Sequence, residues 1–266
     1  MKAMQEQNRR ISENLKQIKN RIVVFSGKGG VGKTTVAVNL AFILNKYQLK
    51  TGLLDADITG PNVAKMTGIK GMPKVDADKR IHPHERDGVA VISMATMLPD
   101  HEAVIWRGPL RSGVIAQFLA DVLWGERDVL LADLPPGTGD EVLTAAQKMF
   151  PQMAVIVTTP QEVSLLDCRR AITMAAKLNI KTIGVVENMA GFVCPRCGEE
   201  YAPFGTGGGE RLARETGSHF LGRIPMDISV RESGDSGLPV VISSPDSLVS
   251  QSFRTIGSSV RHLLHL

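Results

Sequence analysis

The chain has 266 residues, 43% of them hydrophobic and 22% charged, a globular composition that argues against global disorder. Aromatic residues make up only 5%, which speaks against a single-strand nucleic-acid binder built on base stacking. A net charge of +4 suits an anionic ligand such as a nucleotide, but it is too small to establish nucleic-acid or membrane binding. The length allows one large domain or two small ones with a sizeable core. No window approaches about 18 uninterrupted apolar residues, so no membrane span is expected. The first stretch, MKAMQEQNRRISENLKQIKN, is polar and lacks an apolar signal core, which predicts a cytoplasmic protein. The cysteines are Cys168, Cys194 and Cys197, an odd count that argues against a disulfide framework.

In chain order, Met4, Ile11, Leu15 and Ile18 lie at roughly helical spacing and predict an amphipathic helix over 1–20. The body follows over 21–266. Short apolar strands at 22–26, 51–57, 88–94, 128–134, 153–159 and 181–189 alternate with helices at 35–47, 110–124, 140–149 and 162–178. A closing helix is predicted over 247–266. Continuous apolar strands between helices imply an α/β fold. The expected sheet is mostly parallel and twisted, about seven or eight strands, with helices on both faces. Segment 191–210, GFVCPRCGEEYAPFGTGGGE, breaks this rhythm and reads as an irregular functional loop.

Gly27-Lys28-Gly29-Gly30-Val31-Gly32-Lys33-Thr34 matches the phosphate-loop pattern in full, between a predicted strand and a predicted helix. Glycines let backbone N–H groups converge on phosphate oxygens, and the following helix presents free N–H groups and a positive dipole end. Lys33 is placed to reach the β- and γ-phosphates of ATP. The Thr34 hydroxyl suits Mg²⁺, and Thr35 completes the expected nucleotide segment. Two strands end in carboxylates: DADITGPN carries Asp55 and Asp57, and DLPPGTGD starts at Asp133. In open α/β sheets the ligand sits beyond the carboxyl ends of the strands. Asp133 therefore belongs near Mg²⁺, Asp57 is a candidate for orienting the attacking water, and Asp55 for supporting the metal shell.

Cys194-Pro195-Arg196-Cys197-Gly198 has the two-residue spacing that lets both sulfurs face one metal, iron or zinc. Taken alone it also fits half a zinc site, a redox dithiol or two unrelated thiols. Cys168 sits in a helical run and reads as an ordinary helix residue.

The early Lys28 makes the loop resemble the KGGVGK[ST] signature of the MinD/ParA-like P-loop ATPases. That resemblance implies that Lys28 reaches a partner's nucleotide across a homodimer, much as an arginine finger does. DADITGPN and DLPPGTGD, together with WRGPL (106–110), VENM (186–189), CPRCG, FGTGGGERLA (204–213) and GRIPMD (222–227), resemble the Mrp/Nbp-type ATPases, carriers and assembly factors for iron–sulfur clusters. The likeness covers about 20 to 240. Asn62 departs from the Ser that many relatives carry, and the N-terminus looks like a minimal prokaryotic form. The resemblance implies an ATP-hydrolysing carrier with catalytic Lys28, Lys33, Asp57 and Asp133. It implies adenine contacts from Asn188, Pro225 and Met226. It also implies a [4Fe–4S] cluster on Cys194 and Cys197, with zinc possible after aerobic purification, and transfer to apo iron–sulfur proteins. Four Cys thiolates usually hold such a cluster, so two copies of the chain are expected to share it. The competing expectations are a membrane-binding switch, a DNA-segregation ATPase and a zinc-stabilised regulator. The weakly basic closing helix and the modest net charge weigh against the first two, so neither nucleic acid nor stable membrane association is expected.

Overall fold

A computed structural model describes residues 2–57, 60–97 and 108–266, with side chains described for 4–57, 60–97 and 112–266. The apolar runs build the strands β1 (Ile18–Phe25), β2 (Thr51–Asp55), β4 (Val89–Ser93), β5 (Arg127–Asp133), β6 (Met153–Thr158) and β7 (Thr182–Val193). Three further strands are β3 (His84–Arg86), β8 (Glu200–Tyr201) and β9 (His219–Met226). Among the described residues they form one nine-stranded sheet in the order β3-β4-β2-β5-β1-β6-β7, with β8 and β9 both on β7. Pairing is parallel throughout except at β3 on β4 and β8 on β7.

The helices are α1 (Lys2–Lys16), α2 (Lys33–Lys46), α3 (Val63–Thr67), α4 (Gly108–Asp121), α5 (Asp140–Met149), α6 (Glu162–Lys177), α7 (Gly208–Thr216), α8 (Ile228–Ser236), α9 (Val240–Ser243) and α10 (Leu248–Leu264). Strand alternation divides the core. Val23 and Phe25 of β1 face a layer made by α1, α4, α5, α6 and α7, while Ile22 and Val24 face α2, α9 and α10. Helix α2 is buried nearly all round, with Val36, Leu40, Phe42, Ile43 and Leu44 in the core. Each such side chain contributes about 1.5–3 kcal/mol. Gly257 of α10 makes this possible, because a Cβ there would stand 2.4 Å from Ile43 Cγ2.

The start of the chain departs from the expected helix over 1–20. The helix ends at Lys16, and β1 begins at Ile18, because Ile18–Arg21 pair with Arg127–Leu130 of β5 despite their polarity. The Arg21 guanidinium donates to the carbonyls of Leu15, in the last turn of α1, and of Ile18, at the start of β1. Ile11 and Leu15 are buried as expected, but Met4 is exposed. The helix expected to run to 124 stops at Asp121, where Val122 bridges to Ile81. Trp106 and Arg107 of the WRGPL piece, and Ile58 and Thr59 of DADITGPN, lie outside the described residues.

Helix α1 is fastened by one buried amide. Asn14 Nδ2 donates to the carbonyls of Leu119 (3.0 Å), Ala120 (2.9 Å) and Val122 (3.1 Å), and Arg80 donates to its Oδ1 (2.9 Å). It thereby caps the carbonyl end of α4. Asn14→Ala removes the amide's bonds to the Leu119 and Ala120 carbonyls and is expected to destabilise the fold by about 1–3 kcal/mol, measured as a lower urea midpoint.

Candidate nucleotide and thiolate sites

Three neighbouring strands bring the first site together. The segment 26–32 leaves the carboxyl end of β1, and Asp55 and Asp133 end β2 and β5 directly opposite one another in register. Gly30 and Gly32 adopt left-handed backbone (φ 80° and 82°), which curls the loop. Gly32 precedes α2 with no side chain capping it, which leaves the helix N-terminus to an anion. Gly27 packs so closely on α6 that a Cβ would come within 2.3 Å of the Asp167 backbone.

Lys33 is almost fully buried. Its ammonium donates to Asp133 Oδ1 at 2.7 Å and lies 3.5 Å from Asp57 Oδ2. Thr34 Oγ1 donates to Asp133 Oδ2 at 2.6 Å. Burial pushes the Asp133 carboxyl above the usual range, against the pull of Lys33 and Thr34. Burial, reinforced by neighbouring Asp133, pushes Asp55 up to about 8. Asp55 accepts from Ser93 Oγ (2.8 Å) and from the N–H groups of Asp57 (3.2 Å) and Val63 (3.3 Å). It thus ties the end of β2 to β4 and α3. Three buried carboxyl groups therefore gather around one ammonium, and their oxygens, with the Thr34 hydroxyl, are hard donors. That set fits Mg²⁺, which keeps much of its shell as water and phosphate oxygen. Among the described residues, no group of three or more His, Cys, Asp or Glu side chains is arranged to hold a metal alone.

A cavity of about 720 Å³ opens over this centre, a size suited to a nucleotide. Of the residues expected from sequence, it is lined by Gly29, Gly30, Gly32, Lys33, Thr34, Thr35, Asp57, Asn188, Pro225 and Met226. Gly27 and Val31 support the loop from outside, and Val31 belongs to the core. Lys28 does not occur among the described lining residues. Asn188 Nδ2 donates to the Val31 carbonyl at 2.8 Å, so the amide is oriented against the phosphate loop. Sequence reasoning missed Met189, Phe192, Ile224 and Arg231 of the wall. Met189 and Ile224 lay within the VENM and GRIPMD pieces without a role being assigned to them, and Phe192 lay two residues before Cys194.

Strand β7 outruns β6, whose ladder stops at Thr158 opposite Glu187. Its free end pairs Phe192 with Tyr201 and Val193 with Glu200, and this hairpin presents the cysteines. Cys194 N–H donates to the Glu199 carbonyl, and Gly198 N–H to the Cys194 carbonyl, both at 2.9 Å. Gly198 turns the chain with φ 76°. Cys194 is half-exposed and Cys197 exposed, whereas Cys168 is buried in α6. Backbone N–H groups of Cys197 and then Arg196, with the Cys197 thiol, hold the Cys194 thiol below its ordinary range. A thiolate stabilised in this way is the form that binds metal. The nearby FGTGGGERLA piece is not a second phosphate loop. Buried Glu187 already accepts from the N–H groups of Gly207 (2.9 Å) and Gly209 (2.5 Å) at the start of α7.

A sequence model described as ParA: NUBPL iron-transfer P-loop NTPase matches residues 17–261. The chain belongs to this family. A Methanocaldococcus jannaschii protein named iron-sulfur cluster carrier protein is 51% identical over 259 residues, covering 96% of this chain and 88% of that one. A nucleotide-binding protein from Archaeoglobus fulgidus, solved in complex with ADP and with cobalt, superposes with a TM-score of 0.77 at 42% identity. That match covers 86% of this chain and 91% of the other. The cell division ATPase MinD of Pyrococcus furiosus superposes at 0.68 with 25% identity, covering 92% and 99% of the two chains. In this chain β7 thus touches the phosphate loop through Asn188 and carries the cysteine pair on the hairpin at its end. No helix among the described residues is long and apolar enough to cross a membrane.

A depressed thiol stays ionised to lower pH. The alkylation rate of Cys194 in the reduced apoprotein is therefore expected to reach half-maximum below the ordinary thiol value of about 8.5. Mass-resolved iodoacetamide labelling across pH measures it, and unfolding in urea should move the midpoint back up.

Proposed function

We propose that this chain is an ATP-hydrolysing carrier that holds an iron–sulfur cluster and delivers it to apoproteins. The observation that carries the reading is that the strand fastened to the phosphate loop through Asn188 also presents the two-thiol turn. The name of the Methanocaldococcus jannaschii relative supports the cargo, and the ADP complex of the Archaeoglobus fulgidus protein supports the nucleotide.

The loop N–H groups and Lys33 bind the phosphates, and Lys33 exchanges its carboxylate partners for phosphate oxygens as they arrive. Thr34, Asp133 and Asp57 provide the oxygens for Mg²⁺, with Asp55 supporting them from beneath; when bound, Mg²⁺ neutralises developing charge on the phosphates. Asp57 orients the attacking water. Asn188 Oδ1 accepts from the adenine amine, with Pro225 and Met226 against the base. Lys28, outside its own cavity, acts on the nucleotide of a second copy. Two copies on a two-fold axis bring Cys194 and Cys197 together with their symmetry mates, which meets the usual requirement of a [4Fe–4S] cluster for four thiolates. The structural likeness to MinD favours a second reading, a nucleotide-dependent dimerisation switch with zinc on the same sulfurs.

Lys33→Ala removes a charge-assisted contact and is expected to weaken ATP binding about 10- to 100-fold by calorimetry. Lys28→Ala and Asp57→Ala should each depress turnover more than binding. Mixing the two variants should restore activity, because one site of the mixed dimer combines an intact Asp57 with the partner's intact lysine; no recovery would exclude action across the dimer. Anaerobic reconstitution is expected to yield about four irons and four sulfides per dimer. A cluster-loaded monomer, or full loading of Cys194→Ala/Cys197→Ala, overturns the bridging arrangement. Zinc retained after reconstitution with iron and sulfide supports the second reading.

A further inference from the structure

We propose that Phe192 is a positioning residue that couples the nucleotide cavity to the cysteine turn, through an irregular stretch of β7 between Met189 and Phe192. The inference rests on the carrier reading above and adds the element by which nucleotide occupancy reaches the thiols.

Strand β7 is clamped immediately before this stretch. Glu187 is held by the N–H groups of Gly207 and Gly209. Asn188 is held by the Val31 carbonyl and packs against Gly32, where a Cβ would come within 2.2 Å of its Nδ2. The strand then loses its regular form. Met189 adopts φ 58°, a left-handed backbone that an unbranched L side chain enters only at a cost, and Gly191 adopts φ 88°. Pairing with β9 slips here. Asn188 lies opposite Ile224, but the next paired residue is Phe192, opposite Met226. Four positions on β7 are spanned by two on β9, so β7 carries two surplus residues. Bulges of this kind re-aim side chains beside binding sites.

Phe192 is where the ladder resumes, and it belongs to both sites. It lines the nucleotide cavity with Met189 and Met226. Its backbone pairs with Tyr201, and with the Val193–Glu200 pair it forms the base of the hairpin that ends in the cysteines. Cys194 follows two residues later, tied to Glu199 across the turn. A nucleotide is fixed at its phosphate end by the loop. Its other end then packs against Phe192, and the surplus residues before Phe192 take up the displacement while Glu187 and Asn188 stay clamped. The short ladder after Phe192 turns the hairpin as a unit, so Cys194 and Cys197 are presented differently in the two nucleotide states. A ligand shifts such an equilibrium only by contacting one arrangement better than the other, and Phe192 supplies that contact.

The test is mass-resolved iodoacetamide labelling of Cys194 and Cys197 in the reduced apoprotein, with and without a non-hydrolysable ATP analogue and Mg²⁺. Nucleotide is used at a concentration that saturates each variant, fixed beforehand by calorimetry. In the wild-type chain the analogue is expected to change the labelling rate of the pair by about fivefold or more, the lower range of an ordinary coupling. Phe192→Ala should bring the two rates together, and Phe192→Leu, which keeps an apolar contact, should restore part of the difference. Thermal melts of both variants establish that they are folded, and Phe192→Leu alone decides if the alanine variant is not. A Phe192→Ala chain that responds like the wild type overturns the inference. So does a wild-type chain with no response, or a Phe192→Ala chain that saturating analogue cannot occupy, since Phe192 is then a binding residue. Iron and sulfide content of the reconstituted wild type is measured separately. Its failure sinks the carrier reading, while the labelling ratio judges the coupling.

Discussion

Lys33 and Asp133 meet in the protein interior, and the site depends on that contact. An ammonium with little access to water is tolerable only beside an equally buried carboxylate, and removing either partner strands the other. The sheet order enforces the meeting. β1 and β5 are neighbours with Val24 opposite Asp133, so the loop that leaves β1 must bend over the end of β5. The other neighbour of β5 is β2, which brings Asp55 and Asp57 to the same edge. The topology thus gathers more negative than positive charge at one point. Burial, with repulsion from the neighbouring carboxyl groups, raises both Asp55 and Asp133.

The phosphate loop was legible because its chemistry is local. Consecutive glycines, a lysine and a threonine must follow one another for the backbone to wrap an anion, and the pattern survives in one line of sequence. The same holds for β2, β5 and β6, whose apolar runs are uninterrupted because both faces are covered. Where tertiary pairing overrides composition, reading failed. Residues 18–20 read as the end of an amphipathic helix, yet Ile18 and Asn20 pair with β5. β9 contains Gly222, Arg223 and Pro225 and gave no strand signal, but it lies along β7. Phe192 and Met189 entered the cavity only because β7 is irregular there, and a left-handed methionine leaves no trace in the sequence.

Glycines in this chain do two kinds of work that look alike in sequence. Gly30 and Gly32 shape a loop around an external anion. Gly207, Gly208 and Gly209 shape one around an internal anion, with Glu187 supplying the carboxylate that a phosphate supplies elsewhere. The second arrangement fixes β7 immediately before the residues that line the cavity. A strand clamped on one side and free to bend on the other has a defined pivot, and the cysteine turn lies beyond it.

Two features of the single chain are incomplete in the same direction. Lys28 sits in the phosphate loop but does not line its own cavity, and Cys194 and Cys197 offer two sulfurs where a cluster commonly takes four. The proposed two-fold arrangement answers both at once, since it would bring each lysine to the nucleotide of the other copy and each thiol pair to its mate. It also accounts for the exposure of the thiols. A cluster buried in one fold would need local unfolding to leave, whereas one held between two copies becomes accessible when the copies part. In that proposal, nucleotide chemistry at the same interface sets when they part, with β7 as the link from the cavity to the thiols.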